Sequence, residues 1–74
     1  MAKELEQITA VVSGVVGDVK VIPGQQVREG DVLAVQVVTK TEYKIKAPIG
    51  GTLRSIVEKG SVLKEGDIVA EINV

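Results

Sequence analysis

The sequence contains no cysteine and no histidine. Without cysteine the chain forms neither a disulfide bond nor a thiolate metal site, and its redox compartment stays open. Without histidine it lacks the usual proton carrier at neutral pH, and zinc and transition-metal sites lose their other main ligand. We therefore expect no metal site and no catalytic residue, and this chain alone is not expected to be an enzyme.

Aromatic side chains are almost absent as well. Tyr43 is the only ring in 74 residues, although 45% of the residues are hydrophobic. The core must therefore consist of Val, Ile, Leu and Ala, and the β-branched members of that set favour strands over helices. A surface that stacks bases or grips peptides usually carries several rings, so this composition argues against both roles.

Charge and hydrophobicity show no strong bias. Nine basic and ten acidic residues leave a net charge of −1, whereas a nucleic-acid-binding protein needs a basic surplus to neutralise phosphates. The longest apolar-leaning run, residues 32–38, contains Gln36 and is too short to cross a bilayer. The sequence does not open with a charged segment followed by an apolar one, so we expect no secretory signal. We expect a cytoplasmic protein with no nucleic-acid and no membrane partner.

An internal repeat is the main positive feature. The string GQQVREGDVLA at residues 24–34 returns as GSVLKEGDIVA at residues 60–70, and Gly14 and Val21 recur with the same spacing as Gly50 and Val57. A repeat this short predicts a fold with pseudo-two-fold symmetry. Lys40 lies between the two copies, where such a fold can present a unique group.

The spacing of glycines predicts an all-β sandwich or flattened barrel. Residues 1–6 are interpreted as a flexible lead-in to one domain at 7–74. Strands are predicted at 7–12, 15–22, 32–38, 42–47, 52–58 and 67–73, with short bridges near 25–28 and 61–64. Glycines in tight turns need a positive φ, and a turn aspartate can bond the backbone that follows it. The predicted structural turn residues are Gly24, Gly30, Asp31, Gly51, Gly60, Gly66 and Asp67.

A hairpin is predicted around Lys40. In the strand that follows it, side chains alternate between faces, so Tyr43, Ile45 and Ala47 are expected on the buried side. The preceding strand is apolar on both faces. Joining the two strands places Thr39 and Lys40 near the tip, with Lys40 in solvent.

Together these motifs resemble the biotinyl/lipoyl attachment domain family, over about residues 8–74. The resemblance implies a flattened β-barrel of two four-stranded antiparallel sheets. It also implies that a ligase attaches biotin to Lys40, making the domain a swinging-arm carrier for a multisubunit carboxylase or decarboxylase. Val38, Thr39, Thr41 and Glu42 are then the flanking recognition residues. The matching residues are Gly24, Val27, Gly30, Asp31, Leu33, Lys40, Ile45, Lys46, Ala47, Pro48 and Gly51.

Three cofactor states remain open at this point. Biotin carriers of the family typically have methionine on both sides of the lysine, and this chain has Thr39 and Thr41. A polar residue before the lysine is closer to lipoyl domains, which implies lipoate, a lipoate protein ligase and the acyltransferase subunits of a 2-oxo acid dehydrogenase-type complex. The third alternative is an unmodified structural or adaptor module, with an apolar patch of Val37, Val38 and Ile49 for its partner.

One further alternative comes from residues 17–24. Their sequence GDVKVIPG resembles a run found in small KOW-type β modules of ribosome-associated proteins. Any β-hairpin bounded by Gly-Asp can produce this run. The acidic composition and single ring argue against RNA as a partner.

Overall fold

A computed structural model describes residues 4–74. This part of the chain is all β, and it holds no helix long and apolar enough to cross a membrane. Its strands are β1 (Leu5–Thr9), β2 (Gly14–Val19), β3 (Gln26–Val27), β4 (Val32–Val38), β5 (Thr41–Lys46), β6 (Gly51–Ile56), β7 (Val62–Leu63) and β8 (Ile68–Asn73).

The strands form two four-stranded antiparallel sheets, with the orders β1-β8-β6-β3 and β5-β4-β2-β7. Each sheet takes strands from both copies of the repeat, so the copies interlock. This arrangement confirms the predicted fold. The prediction for the first strand was wrong, because β1 begins at Leu5, inside the expected lead-in, and ends at Thr9. Its pairing with β8 orders it. The lead-in residues 1–3 lie outside the described residues.

The core lies between the sheets and is aliphatic, as the composition predicts. A shift of register between Val32 and Ala34 lets Leu33 and Ala34 both point inward, although strict alternation would separate them. The buried hydrophobic residues are Ile8, Ala10, Val16, Val21, Val27, Leu33, Ala34, Ala47, Leu53, Leu63, Val69, Ala70 and Ile72.

The two Glu-Gly-Asp turns have the same hydrogen bonds. The Asp31 carboxylate accepts a 2.8 Å bond from the Arg28 amide, and the Asp67 carboxylate accepts one of the same length from the Lys64 amide. The expectation that these aspartates bond the following backbone was therefore wrong. Each reaches back three residues, because the turn folds that amide over the carboxylate.

Four of the predicted turn glycines have φ between 90° and 94°, namely Gly24, Gly30, Gly60 and Gly66. The prediction for Gly51 was wrong, because this residue begins strand β6. A side chain there would overlap the backbone oxygen of Asn73 and the side chain of Ile72. Close packing of strands, and not turn geometry, therefore demands glycine at this position.

In the first part of the repeat, the residues that match in the structure lie one position further apart along the chain than the sequence repeat suggests. Gly14 pairs with Leu63, and Gly51 pairs with Val27. The structural counterpart of Gly14 is therefore Gly51 and not Gly50, which corrects the pairing suggested by the sequence. Backbone bonds likewise match Lys20 with Val57, since their amides donate to Leu33 and Val69. The additional residue of the first copy is consequently the buried Val21.

Candidate functional site at the β4–β5 hairpin

The hairpin between β4 and β5 places Lys40 at its tip. Val38 and Thr41 form the last cross-strand pair, and Thr39 and Lys40 make a two-residue turn beyond it. The Lys40 side chain is exposed. The predicted position of this lysine is thus confirmed.

Thr39 has an unusual backbone conformation. Its φ of 54° is the only positive value among the non-glycine residues at positions 4–74. This left-handed region is rare for a β-branched residue. Residues held there cost of order 1–3 kcal/mol each and cluster at functional sites. The two-residue connection forces this conformation, because a tight hairpin requires a positive φ in its turn.

The other predicted recognition residues surround the tip. Thr41 and Glu42 are exposed, and Val38 is half-buried. Glu42 lies directly opposite Val37 in the ladder. The hairpin therefore brings together all four residues that the sequence grouped around Lys40.

Strand β5 is less buried than the alternation predicts. Ala47 is buried and Ile45 is half-buried, but Tyr43 is 39% exposed. The expectation that Tyr43 belongs to the core was wrong. β5 is an edge strand with a neighbouring strand, β4, on one side only. Tyr43 therefore stays accessible to solvent.

Lys40 forms no ion pair within residues 4–74, where the one salt bridge joins Lys20 Nζ to Asp18 Oδ2 at 2.7 Å. The hydrogen bond and the charge of Lys20 hold the pKa of Asp18 below its usual range, and Asp18 in turn raises the pKa of Lys20. In the same part of the chain, no three His, Cys, Asp or Glu residues cluster as metal ligands.

Gln36 is the buried polar residue behind the hairpin. It is fully inaccessible, and its Nε2 donates a 2.9 Å bond to the carbonyl oxygen of Val12. Its Oε1 has no hydrogen-bond partner. A glutamine within an apolar strand is the sequence signal for this feature. Its side chain anchors the loop between β1 and β2 to the strand that leads to Lys40.

A groove of about 590 Å³ lies on the outer face of the β5-β4-β2-β7 sheet. Val32, Val35, Val37 and Gly17 line its floor. Charged side chains of both signs form its rims, namely Asp18, Lys20, Glu42 and Lys44. The sequence predicted Glu42 as a recognition residue but not the groove, because only the strand order brings β2 beside β4.

Two interlocked four-stranded sheets with a lysine at a two-residue hairpin tip define the class of lipoyl- and biotinyl-like β-barrels. A family described as biotin-requiring enzyme matches residues 6–72 of the sequence. The match spans most of the chain. The protein therefore belongs to the biotin/lipoyl attachment family.

Individual relatives agree with this assignment. A pyruvate carboxylase of Aspergillus terreus is 41% identical over 63 residues, covering 85% of this chain and 5% of that protein. The mitochondrial pyruvate carboxylase of Homo sapiens is 37% identical over 67 residues, covering 89% and 6%. The chain thus spans about one-twentieth of the length of these relatives.

Solved structures give the same fold. Kluyveromyces lactis urea carboxylase superposes with a TM-score of 0.87 at 25% identity, over 97% of this chain and 6% of that one. The lipoyl domain of the Azotobacter vinelandii 2-oxoglutarate dehydrogenase complex superposes with a TM-score of 0.70 at 18% identity. It covers 88% of this chain and 94% of that domain. At this identity the second likeness shows the fold alone.

Proposed function

We propose that the chain is a biotin carboxyl carrier domain, with biotin joined through an amide bond to Nζ of Lys40. The exposed position of Lys40 at the hairpin tip carries this proposal. The site fits the group, because an unpaired amine on a stiff two-stranded support is accessible to a ligase from several sides. When bound, biotin supplies the ring nitrogen that carries a carboxyl group.

The proposed parent is a carboxylase. The relatives include pyruvate and urea carboxylases, of which this chain matches a small part. In this role the domain is a non-catalytic part of an enzyme complex. Tethering raises the effective concentration of the carried group at each partner active site. Its partners are then a biotin protein ligase and the carboxylase and transferase domains.

Lipoate on Lys40 is the second candidate function. The polar Thr39 before the lysine favours it, and a lipoyl domain shares the fold. In that case the partners are a lipoate protein ligase and acyltransferase subunits.

To test this proposal, the chain is expressed together with biotin and lipoate ligases and both cofactors. Mass spectrometry then measures the intact mass, and peptide mapping locates any adduct. We expect one biotin adduct, on Lys40. Lys40→Arg keeps the charge and is expected to abolish the adduct while changing the free energy of unfolding by less than about 0.5 kcal/mol, because the side chain is exposed.

Lys44→Arg and Lys46→Arg are the matched controls on the same hairpin, and both should be labelled normally. A lipoyl adduct on Lys40 supports the second candidate. An unmodified Lys40 in the presence of both ligases contradicts the carrier function.

A further inference from the structure

We infer that the outer groove of the β2–β4–β5 face holds the biotinyl arm of Lys40 between transfers. This inference rests on the proposed function, and it assigns the arm a resting site on its own domain. The groove is lined by Gly17, Val35 and Val37 on the floor and by charged residues on the rims.

The groove begins close to the tip. Val37 and Glu42 line its near end and face each other one rung below the pair Val38–Thr41. Val35 and Lys44 form a rung further along the floor. With about 3.3 Å of rise per residue, Lys44 lies roughly 13 Å along the strand from Lys40.

The length of the arm matches this distance. A lysine stem joined to the acyl chain of biotin places roughly eleven bonds between Cα and the ring, or about 13 Å at the advance per bond of an extended chain. The ring therefore reaches the floor at Val35 and Val37 without any movement of the backbone.

The two halves of the fold differ on this surface. Val35 lies between Asp18 and Lys44 on its neighbouring strands. In the other sheet, Glu71 lies in the same way between Ser55 and Gln7. Glu71 is thus the structural counterpart of Val35. It is polar and hydrogen-bonded to both of its neighbours, at 3.0 Å to Gln7 and 3.2 Å to Ser55.

The next rung shows the same contrast. Val37 pairs with Val15, and its counterpart Asn73 pairs with Thr52. Val15 and Val37 are 42% and 36% exposed. Because the same backbone accepts polar residues in the other sheet, the fold does not require these exposed valines. The other sheet also exposes apolar side chains, Leu5 and Ile68, but its residues at the positions of Val15, Val35 and Val37 are polar. A patch of three valines at these positions on the face that bears Lys40 indicates a ligand site.

The residues at the two matching bulges also differ. Gly17 lies at the irregularity between Val16 and Asp18, and Arg54 lies at the matching one between Leu53 and Ser55. A Cβ atom at Gly17 would come within 2.7 Å of Cγ2 of Val37. The Val37 side chain therefore packs directly against Gly17, where the matching residue of the other sheet carries a side chain of its own.

The rims match the polar end of biotin. Its ureido ring carries two N–H donors and one carbonyl acceptor, while its thioether side and acyl chain are apolar. Glu42 offers acceptors and Lys44 offers donors, while Asp18 and Lys20 bond each other at 2.7 Å and keep further acceptor and donor capacity. An apolar floor with a few polar groups around it is the usual composition of a small-molecule site.

The test attaches the arm in two ways, so that docking and the proposed function are measured separately. A biotin protein ligase labels the wild-type chain, and intact mass alone reports on the proposed function. In parallel, Lys40→Cys is alkylated with a biotin reagent whose linker restores the arm length, which is selective because the chain has no other cysteine.

Methyl NMR spectra then compare protein with and without the arm. We expect shifts of the Val35 and Val37 methyl signals, with NOEs to the biotin ring, at every protein concentration. Shifts confined to residues 38–42 overturn the inference, because the arm is then free in solvent. Shifts that grow with protein concentration also overturn it, because the occupant is then a second copy.

A pair of double variants provides a second measurement. Val35→Glu with Val37→Asn copies the residues of the other sheet onto the groove, and Glu71→Val with Asn73→Val is the matched control. If the arm is docked for half to nine-tenths of the time, the first variant should bind streptavidin about two- to tenfold faster, whereas the control should match wild type. Equal rates for the wild type and the groove variant contradict docking.

Discussion

Lys40 and Gln36 belong to one hairpin, yet their environments are opposite. Lys40 is exposed at the tip, while Gln36 is wholly inaccessible in the strand that leads to it. The Gln36 amide gains one good hydrogen bond to Val12, but its Oε1 is buried without a partner. A buried oxygen in this state costs about 1–3 kcal/mol, against about 0.5–1.5 kcal/mol for a typical bond.

Gln36→Met is therefore expected to raise the free energy of unfolding by about 1 kcal/mol. Methionine has a similar length and fills irregular space, and the Val12 carbonyl lies in a half-buried loop where water can replace the amide. Urea unfolding measures the change.

Gln26→Met on β3 is the control, because Gln26 is exposed, and it should change stability by less than about 0.5 kcal/mol. Destabilisation by Gln36→Met would show that anchoring the β1–β2 loop outweighs the unpaired oxygen.

The Glu-Gly-Asp turns are the elements that the repeat doubles. In each, an aspartate carboxylate accepts a bond from the amide three residues before it, and a glycine with positive φ precedes the aspartate. The Gly30 amide donates to Ala47 and the Gly66 amide to Ala10. Each turn is thus hydrogen-bonded to the residue that follows a strand of the other half, namely Ala47 after β5 and Ala10 after β1.

Asp31→Ala and Asp67→Ala should each lower the free energy of unfolding by about 1 kcal/mol, since each removes one exposed carboxylate–amide bond. The double variant should lose the sum of the two within about 0.5 kcal/mol, because the two bonds share no partner. Denaturant unfolding of the single and double variants checks both expectations.

Glu29→Ala and Glu65→Ala are the controls in the same turns. Their carboxylates accept no hydrogen bond from residues 4–74, so we expect changes below about 0.5 kcal/mol. Unequal losses for the two aspartates would contradict the equivalence of the turns.

At the scale of the whole molecule, the two sheets form one core. Leu33 on β4 and Ile72 on β8 are both fully buried, and they belong to the same hydrophobic cluster. Each sheet contains strands from both copies of the repeat. Neither half can therefore unfold while the other stays intact.

Leu33→Ala and Ile72→Ala should each lower the free energy of unfolding by about 2–5 kcal/mol, as large-to-small changes in a packed core do. Both variants should keep a single transition and the wild-type denaturant dependence. Circular dichroism follows the strands, and NMR signals from each sheet show whether they unfold together.

Ile22→Ala is the control, because this side chain is 69% exposed, and it should change little. A variant in which one sheet melts before the other would contradict a shared core.

Several properties were determined by the sequence itself. The aliphatic composition, the glycine spacing and the repeat predicted an all-β fold with two similar halves and placed Lys40 at a hairpin tip. Such features depend on local rules, because a turn glycine or an alternating strand acts over a few residues. The absence of cysteine and histidine likewise restricted the chemistry without any structure.

Tertiary structure decided the features that depend on neighbouring strands. The bulge beside Leu33 and Ala34, the strand position of Gly51 and the exposure of Tyr43 all follow from which strand lies alongside. The outer groove is of the same kind, because β2 and β4 line it together although a separate loop and strand part them in the sequence. Register between distant segments is set by the packing of the whole core, so a local pattern does not predict it.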